Sequence, residues 1–312
     1  MRHLNDRLRG HIRAFKRLLR STGLYGAELK VGGFSGYLAE LLVIYYKSLQ
    51  ELLQNASWWK PFKTVLMLGN KPSKQFNDPL VFIDPVDPAR NVAAALTLQR
   101  MSQFILLSKL LLRNPRIEVF KHGRLEIDLK EVVAALRARS SHILLLTCKP
   151  PRIPPDTLWG ELYRSLKGVA RLLDGYGFEV RDNFAWTDEK ELMVLGYELE
   201  RLSLPEKVIA RGPPVWMHEN VQKFLLKHRE VWIKGDRLYT YRKRDYTDVR
   251  LLLRERIQEA SISDDLKESL KMGFNILIDN EALNWSLKYP DLYEEIAKFI
   301  LKTPWWLKVL TE

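Results

Sequence analysis

STGLYGAELKVGGFSGYLAELL, residues 21–42, holds five glycines, two tyrosines and little charge, directly after a strongly basic segment. Two readings compete. Glycine-rich loops cradle phosphate, and glycine also serves plain tight turns. No Gly-Lys-Ser/Thr follows, so this is not a Walker loop. The spacing of Gly32, Gly33 and Gly36 does not fit a dinucleotide fingerprint, which also needs a strand before it. The flanks instead read as helices. Leu4, Leu8, Ile12, Phe15, Leu18 and Leu19 recur at helical spacing, and Gly23 is placed to end that helix. Ser35 is placed to cap a second helix whose apolar face is Leu38, Leu41, Leu42, Tyr45 and Leu49. The stretch reads as a turn between helices, and the domain around it as helical.

Working outward, TVLML (64–68) and LVFI (80–83) read as short strands. Asp84-Pro85 and Asp87-Pro88 make a turning, extended loop. The prolines rule against the strand-borne paired carboxylates of a metal site, so Asp84 and Asp87 read as turn residues. A helix follows from Thr97 to Arg113, and a boundary is expected at 114–118. Beyond it strands and helices mix. RIEVF (116–120), HILLLT (142–147), FEVRDNFAW (178–186), ELMVLGYEL (191–199) and KVIA (207–210) read as strands. Helices are expected from Asp128, with Glu131 as capping partner, and from Asp156 to Gly175. Gly235-Asp236 mark a hairpin. After Thr247 the chain reads as helical to its end, with breaks near Asp279 and Pro290. The fold class expected is α+β with a mostly antiparallel sheet. Domains are expected at 1–116 (helical), 117–245 (α+β body) and 246–312 (helical tail).

The chain has 312 residues, 46% of them hydrophobic, and a net charge of +12 with pI near 9.6. That excess favours polyanionic partners, nucleic acid before anionic membrane. The lone Cys148 excludes an internal disulfide framework. No apolar run approaches the roughly 20 residues of a membrane span. A cytoplasmic protein is expected. The six histidines are scattered, and no metal-ligating cluster is expected in this chain. Trp58-Trp59 and Trp305-Trp306 read as hydrophobic plugs. RLYTYRKRDY (237–246) interleaves tyrosines with cations. Such a segment can neutralise phosphates and stack on bases, and it can equally be a solvated amphipathic strand.

RLLRSTGLYGAELKVGGFSGYLAELLVIYYKSL (17–49) and FNDPLVFIDPVDPARNVAAALTLQRMSQFI (76–105) resemble two hallmark segments of the archaeal, class I CCA-adding enzymes. RNPRIEVF (113–120) and GPPVWMHENVQKFLLKH (212–228) resemble the family's C-terminal body. The resemblance implies a tRNA nucleotidyltransferase that completes the 3′ end from CTP and ATP with Mg²⁺. It implies an RRM-like, ferredoxin-like body and a helical tail gripping the acceptor stem and T arm of tRNA. Lys16 and Tyr25 match the family's triphosphate contacts, and Arg90 its reader of the incoming base. Arg237, Tyr241, Arg242, Lys243 and Arg244, with Lys223 and Lys227 on the short basic helix, are the expected RNA contacts. The family's Gly-Ser turn and Asp-x-Asp strand have no match in these residues. The catalytic carboxylates are therefore expected from a missing domain or a separate catalytic subunit, with this chain inactive alone. The alternative is a non-catalytic RNA-binding descendant. The family often dimerises, so a homodimer is a further expectation of the resemblance.

Overall fold

The computed structural model describes residues 5–69, 71–121 and 127–312; Leu4, His3 and His122 of the sequence reading lie outside them. The chain forms two compact units, Met1–Asp128 with Leu301–Glu312, and Leu129–Ile300.

In the first unit, helix α1 (Asp6–Ser21) starts where Asn5 Oδ1 accepts the amide of Leu8 at 2.9 Å. It ends as read: Gly23 follows in the left-handed region at φ 72°. Ser35 caps α2 (Gly36–Tyr46) through the amide of Leu38. The sequence suggested that this helix runs on to Leu49. Instead Lys47 turns left-handed, and Ser48 caps a new helix, α3 (Leu49–Ala56), through Glu51 N. Strands β1 (Thr64–Met67) and β2 (Leu80–Ile83) pair in parallel. Thr97 then caps α4 (Leu98–Arg113). The core is aromatic at its centre: Phe34 lies 4.9 Å and Phe15 5.5 Å from Phe104, ring to ring. Of the first tryptophan pair only Trp59 plugs this core, at 7% exposure and bonded to Tyr46; Trp58 is 83% exposed. At the far end of the chain the helix Trp305–Thr311 returns to the same core, burying Trp306 and Leu310 while Trp305 donates to Ser21 O at 3.2 Å. RIEVF is no strand. Ile117–Phe120 is one tight helical turn that buries Val119 and leaves Ile117 in solvent.

The second unit opens with α5 (Leu129–Ala138), β3 (His142–Cys148), α6 (Pro155–Tyr176), β4 (Val180–Thr187) and β5 (Met193–Leu199). An insertion follows: β6 (Lys207–Pro214), α7 (His218–Lys227), β7 (Val231–Lys234) and β8 (Arg237–Lys243). Then come α8 (Val249–Arg256), α9 (Asp264–Met272), β9 (Asn275–Ile278), α10 (Asn280–Ser286) and α11 (Pro290–Leu301). With the insertion set aside, the order is strand, helix, two strands, helices, strand. The four strands pair antiparallel as β4-β5-β3-β9, the ferredoxin-like arrangement on an α+β fold. β9 falls where the sequence pattern predicts helix. It has four residues beside helix-forming neighbours, and only pairing with β3 makes it a strand.

Every residue of β5 is buried. On one face Leu144, Leu146, Leu195 and Tyr197 join the α6, α8 and α9 core. On the other, Phe184 packs 4.7 Å from Phe299, and buried Glu198 accepts from Ser141 and Arg139. An RRM stacks bases on an open sheet face. Here that face is covered, and the open sheet of this unit is the second one, β6-β8-β7.

Candidate nucleotide and RNA sites

The opening glycine stretch folds into a loop stitched by its own backbone. Gly26 N donates to Phe34 O, Gly33 N to Gly26 O and Phe34 N to Leu24 O, each at 2.8–2.9 Å. Gly33 is required there, because a methyl group on it would lie 2.2 Å from Leu24 O. This stitching fixes Tyr25 beside the amino end of α2. Lys16 arrives at the same place from α1. A methyl group on Gly36 would stand 2.9 Å from Tyr25 Oη and 3.8 Å from Lys16 Nζ. The two expected triphosphate contacts therefore meet over Gly36, at the helix end whose partial positive charge favours anions. Lys16 Nζ is held by Glu40 Oε1 at 2.6 Å, and the Arg20 guanidinium lies 4.5 Å over the Tyr25 ring.

Arg90 sits on the Asp-Pro loop, which is pinned at its neck. Asp84 N donates to Arg90 O, Arg90 N to Asp87 O, and the two aspartates accept Val86 N and Ala89 N at 2.9 Å, the turn role read from sequence. Buried Asn91 ties the loop to β2 through Phe82 N and Leu80 O. The Asp84 side chain is 5% exposed and that of Arg90 is 64% exposed, with Nη1 3.7 Å from Asp84 Oδ2. Asp84 Oδ1 also accepts the Tyr37 hydroxyl at 3.4 Å. Partial burial, then the Asp84 charge, raise the Tyr37 pKa above that of a free phenol, with Arg90 pulling the other way. Arg90 thus connects to α2 through Asp84 and Tyr37, and Lys16 connects to the same helix through Glu40. Sequence reasoning passed over both Tyr37 and Glu40, because a tyrosine and a glutamate three apart on a helix face carry no signal until their partners Asp84 and Lys16 are placed.

In the inserted sheet, cross-strand partners share a face. Register puts Lys207 with Lys243, Ile209 with Tyr241, and Arg211 and Trp232 with Tyr239. Trp232 lies 4.9 Å from Tyr241 and stacks on Tyr239 at 6.0 Å. This face is an aromatic ladder edged by cations. Lys223 and Lys227 are exposed on α7, which covers the opposite face with Phe224 against Gly212, and Arg242 points to that side. Half-buried Arg237 donates to Gly212 O. Arg244 is drawn inward, its Nη1 on Tyr176 O at 3.2 Å. The seven expected RNA contacts are therefore divided: Arg237, Tyr241 and Lys243 on the ladder face, Arg242, Lys223 and Lys227 on the other, Arg244 in the scaffold. Trp232, Lys207 and Arg211 were missed because only strand register brings them in. Among the described residues, no group of three His, Cys, Asp or Glu is arranged to hold a metal ion, and no helix is long and apolar enough to cross a membrane.

Comparison with known proteins bears on both sites. The family described as tRNA nucleotidyltransferase, second domain, matches residues 10–121, which carry Lys16, Tyr25 and Arg90. The family described as CCA-adding enzyme, C-terminal domain, matches residues 139–279. Proteins named CCA-adding enzyme from Methanothermobacter thermautotrophicus and Saccharolobus islandicus are each 35% identical to this chain, over 298 and 309 residues. These alignments cover 93% and 98% of the chain, and 66% and 67% of the relatives. The protein of that name from Sulfurisphaera tokodaii is 34% identical over 310 residues. The chain belongs to the CCA-adding enzyme family. It spans about two thirds of the length of these relatives.

Proposed function

We propose that this chain works in tRNA 3′-terminal CCA addition, gripping tRNA and supplying one wall of the pocket for CTP and ATP. The observation that carries the reading is the convergence of Lys16 and Tyr25 over Gly36, linked through Tyr37 and Asp84 to Arg90. Lys16 neutralises the triphosphate as a point charge, the Tyr25 hydroxyl donates to it, and Arg90 presents a planar fork to a base edge. The primer 3′-OH loses its proton and attacks the α-phosphate of the nucleotide, forming the new phosphodiester as the α–β bond breaks and pyrophosphate leaves. Mg²⁺, when bound, would supply stabilisation of the charge that develops there. The carboxylates for that metal come from a nucleotidyltransferase head outside these 312 residues, so the pocket is composite. The tRNA acceptor stem and T arm are held by the basic surfaces of the inserted sheet, and the work is cytoplasmic.

The first test is binding of a tRNA acceptor minihelix. Contacts to about four phosphates predict that a fourfold rise in salt weakens binding roughly 100-fold by counterion release. No binding at low salt would sink the reading. Binding without any support of CCA addition when a head is supplied would leave an RNA-binding protein that is not part of the enzyme.

A further inference from the structure

We propose that Asp84 and Tyr37 are positioning residues that aim Arg90 at the incoming base and hold it in register with the triphosphate contacts. The inference rests on reading Arg90 as the base contact. An arginine in solvent has several rotatable bonds, so it reads a base edge well only if something restricts it. Here that restraint is a carboxylate. Asp84 is buried at the neck of the Asp-Pro loop, with Oδ1 occupied by Val86 N and the Tyr37 hydroxyl and Oδ2 turned to the Arg90 guanidinium. The backbone bond from Asp84 N to Arg90 O fixes the root of the arginine at the same point. Buried charge beside an exposed partner orients it more strongly than a surface pair does, because water screens it less.

Tyr37 adds the second connection. It follows Gly36, over which Lys16 and Tyr25 meet, and it precedes by three residues Glu40, which holds Lys16. One rigid helical turn therefore bonds to Asp84 at one side and to Lys16 at the other. Displacing that turn moves base contact and phosphate contact together. Selection between C and A depends on where the base edge sits relative to a triphosphate already held, so this coupling acts on choice of nucleotide rather than on binding strength.

The test uses the full chain combined with the catalytic head of a relative, tRNA lacking its terminal nucleotides, CTP, ATP and Mg²⁺. The readout is the ratio of kcat/KM for CTP and ATP at each step. Asp84→Asn keeps an oxygen for Val86 N and removes the charge; Tyr37→Phe removes only the hydroxyl. Both are expected to erode the ratio about tenfold, the scale of a misplaced contact group, with minihelix affinity unchanged. Asp87→Asn, in the same loop without a guanidinium contact, is expected to keep the wild-type ratio. If Asp84→Asn melts early, Tyr37→Phe decides alone. Ratios unchanged in Tyr37→Phe and in folded Asp84→Asn, while Arg90→Ala loses selection, would overturn the inference and leave the site reading standing. Unchanged selection in Arg90→Ala would overturn both.

Discussion

Substituting Gly36 by alanine separates the site from the fold. The new methyl group would stand 2.9 Å from Tyr25 Oη, about 0.5 Å inside the 3.4 Å at which ordinary contact begins, and 3.8 Å from Lys16 Nζ. The nearest obstacle is the tip of a half-buried side chain, not backbone, so the tyrosine gives way by swinging its hydroxyl away from Gly36. The helix itself gains, since alanine is favoured over glycine in helices by up to about 1 kcal/mol. A hydrogen bond to a charged group contributes about 1.5–3 kcal/mol. Its loss weakens nucleotide contact roughly ten- to hundredfold. The expected result is an unchanged or slightly raised Tm by calorimetry, with KM for CTP raised at least tenfold when the chain works with a catalytic head. A Tm lowered by several degrees would mean that Gly36 serves packing. An unchanged KM would mean that Tyr25 does not touch the triphosphate.

Gly33→Ala meets backbone instead, at 2.2 Å from Leu24 O, and is expected to cost about 2–4 kcal/mol from overpacking and a broken loop bond; Gly10→Ala on α1, where nothing lies within 4 Å, gains up to about 1 kcal/mol, and paired thermal melts check both. Lys243→Ala is expected to lower the salt slope of minihelix binding by about one, whereas Arg244→Ala lowers Tm and leaves the slope alone, because Arg244 braces Tyr176 O. Burial pushes the Cys148 thiol up to about 12, so it should resist maleimide in the native state and react only on unfolding. Because the folded state holds that proton more tightly, the contribution of Cys148 to stability is whole below the unfolded value near 8.5 and is lost as pH rises from there to about 12; denaturation curves across that window check it.

What could be read directly was local. Asn5 and Ser35 cap helices because their side chains bond three residues on, and Gly23 ends α1 because the backbone turns left-handed there. The apolar spacing of Leu18, Leu19 and Leu42 placed them in a core. What escaped was set by partners distant in sequence. β9 is a strand only because β3 lies beside it, across more than 120 residues, and the ladder face exists only through the register of β6, β7 and β8. Trp58 and Trp59 are alike in sequence, and only the turn that follows α3 at Ala56 buries one and exposes the other. In the site, Lys16, Tyr25 and Arg90 came from motif resemblance. Glu40, Tyr37 and Asp84 needed the geometry, since a glutamate, a tyrosine and a turn aspartate carry no signal alone.

That one wall of the pocket holds both the triphosphate and the base is tested by template-free addition to tRNA lacking CCA, by this chain with a catalytic head. Ordered C, C, A addition is expected to need this chain, to fall at least tenfold in Lys16→Ala, and to lose choice of nucleotide in Arg90→Ala. Addition by the head alone at the same rate, or full rate and selectivity in both variants, would contradict it.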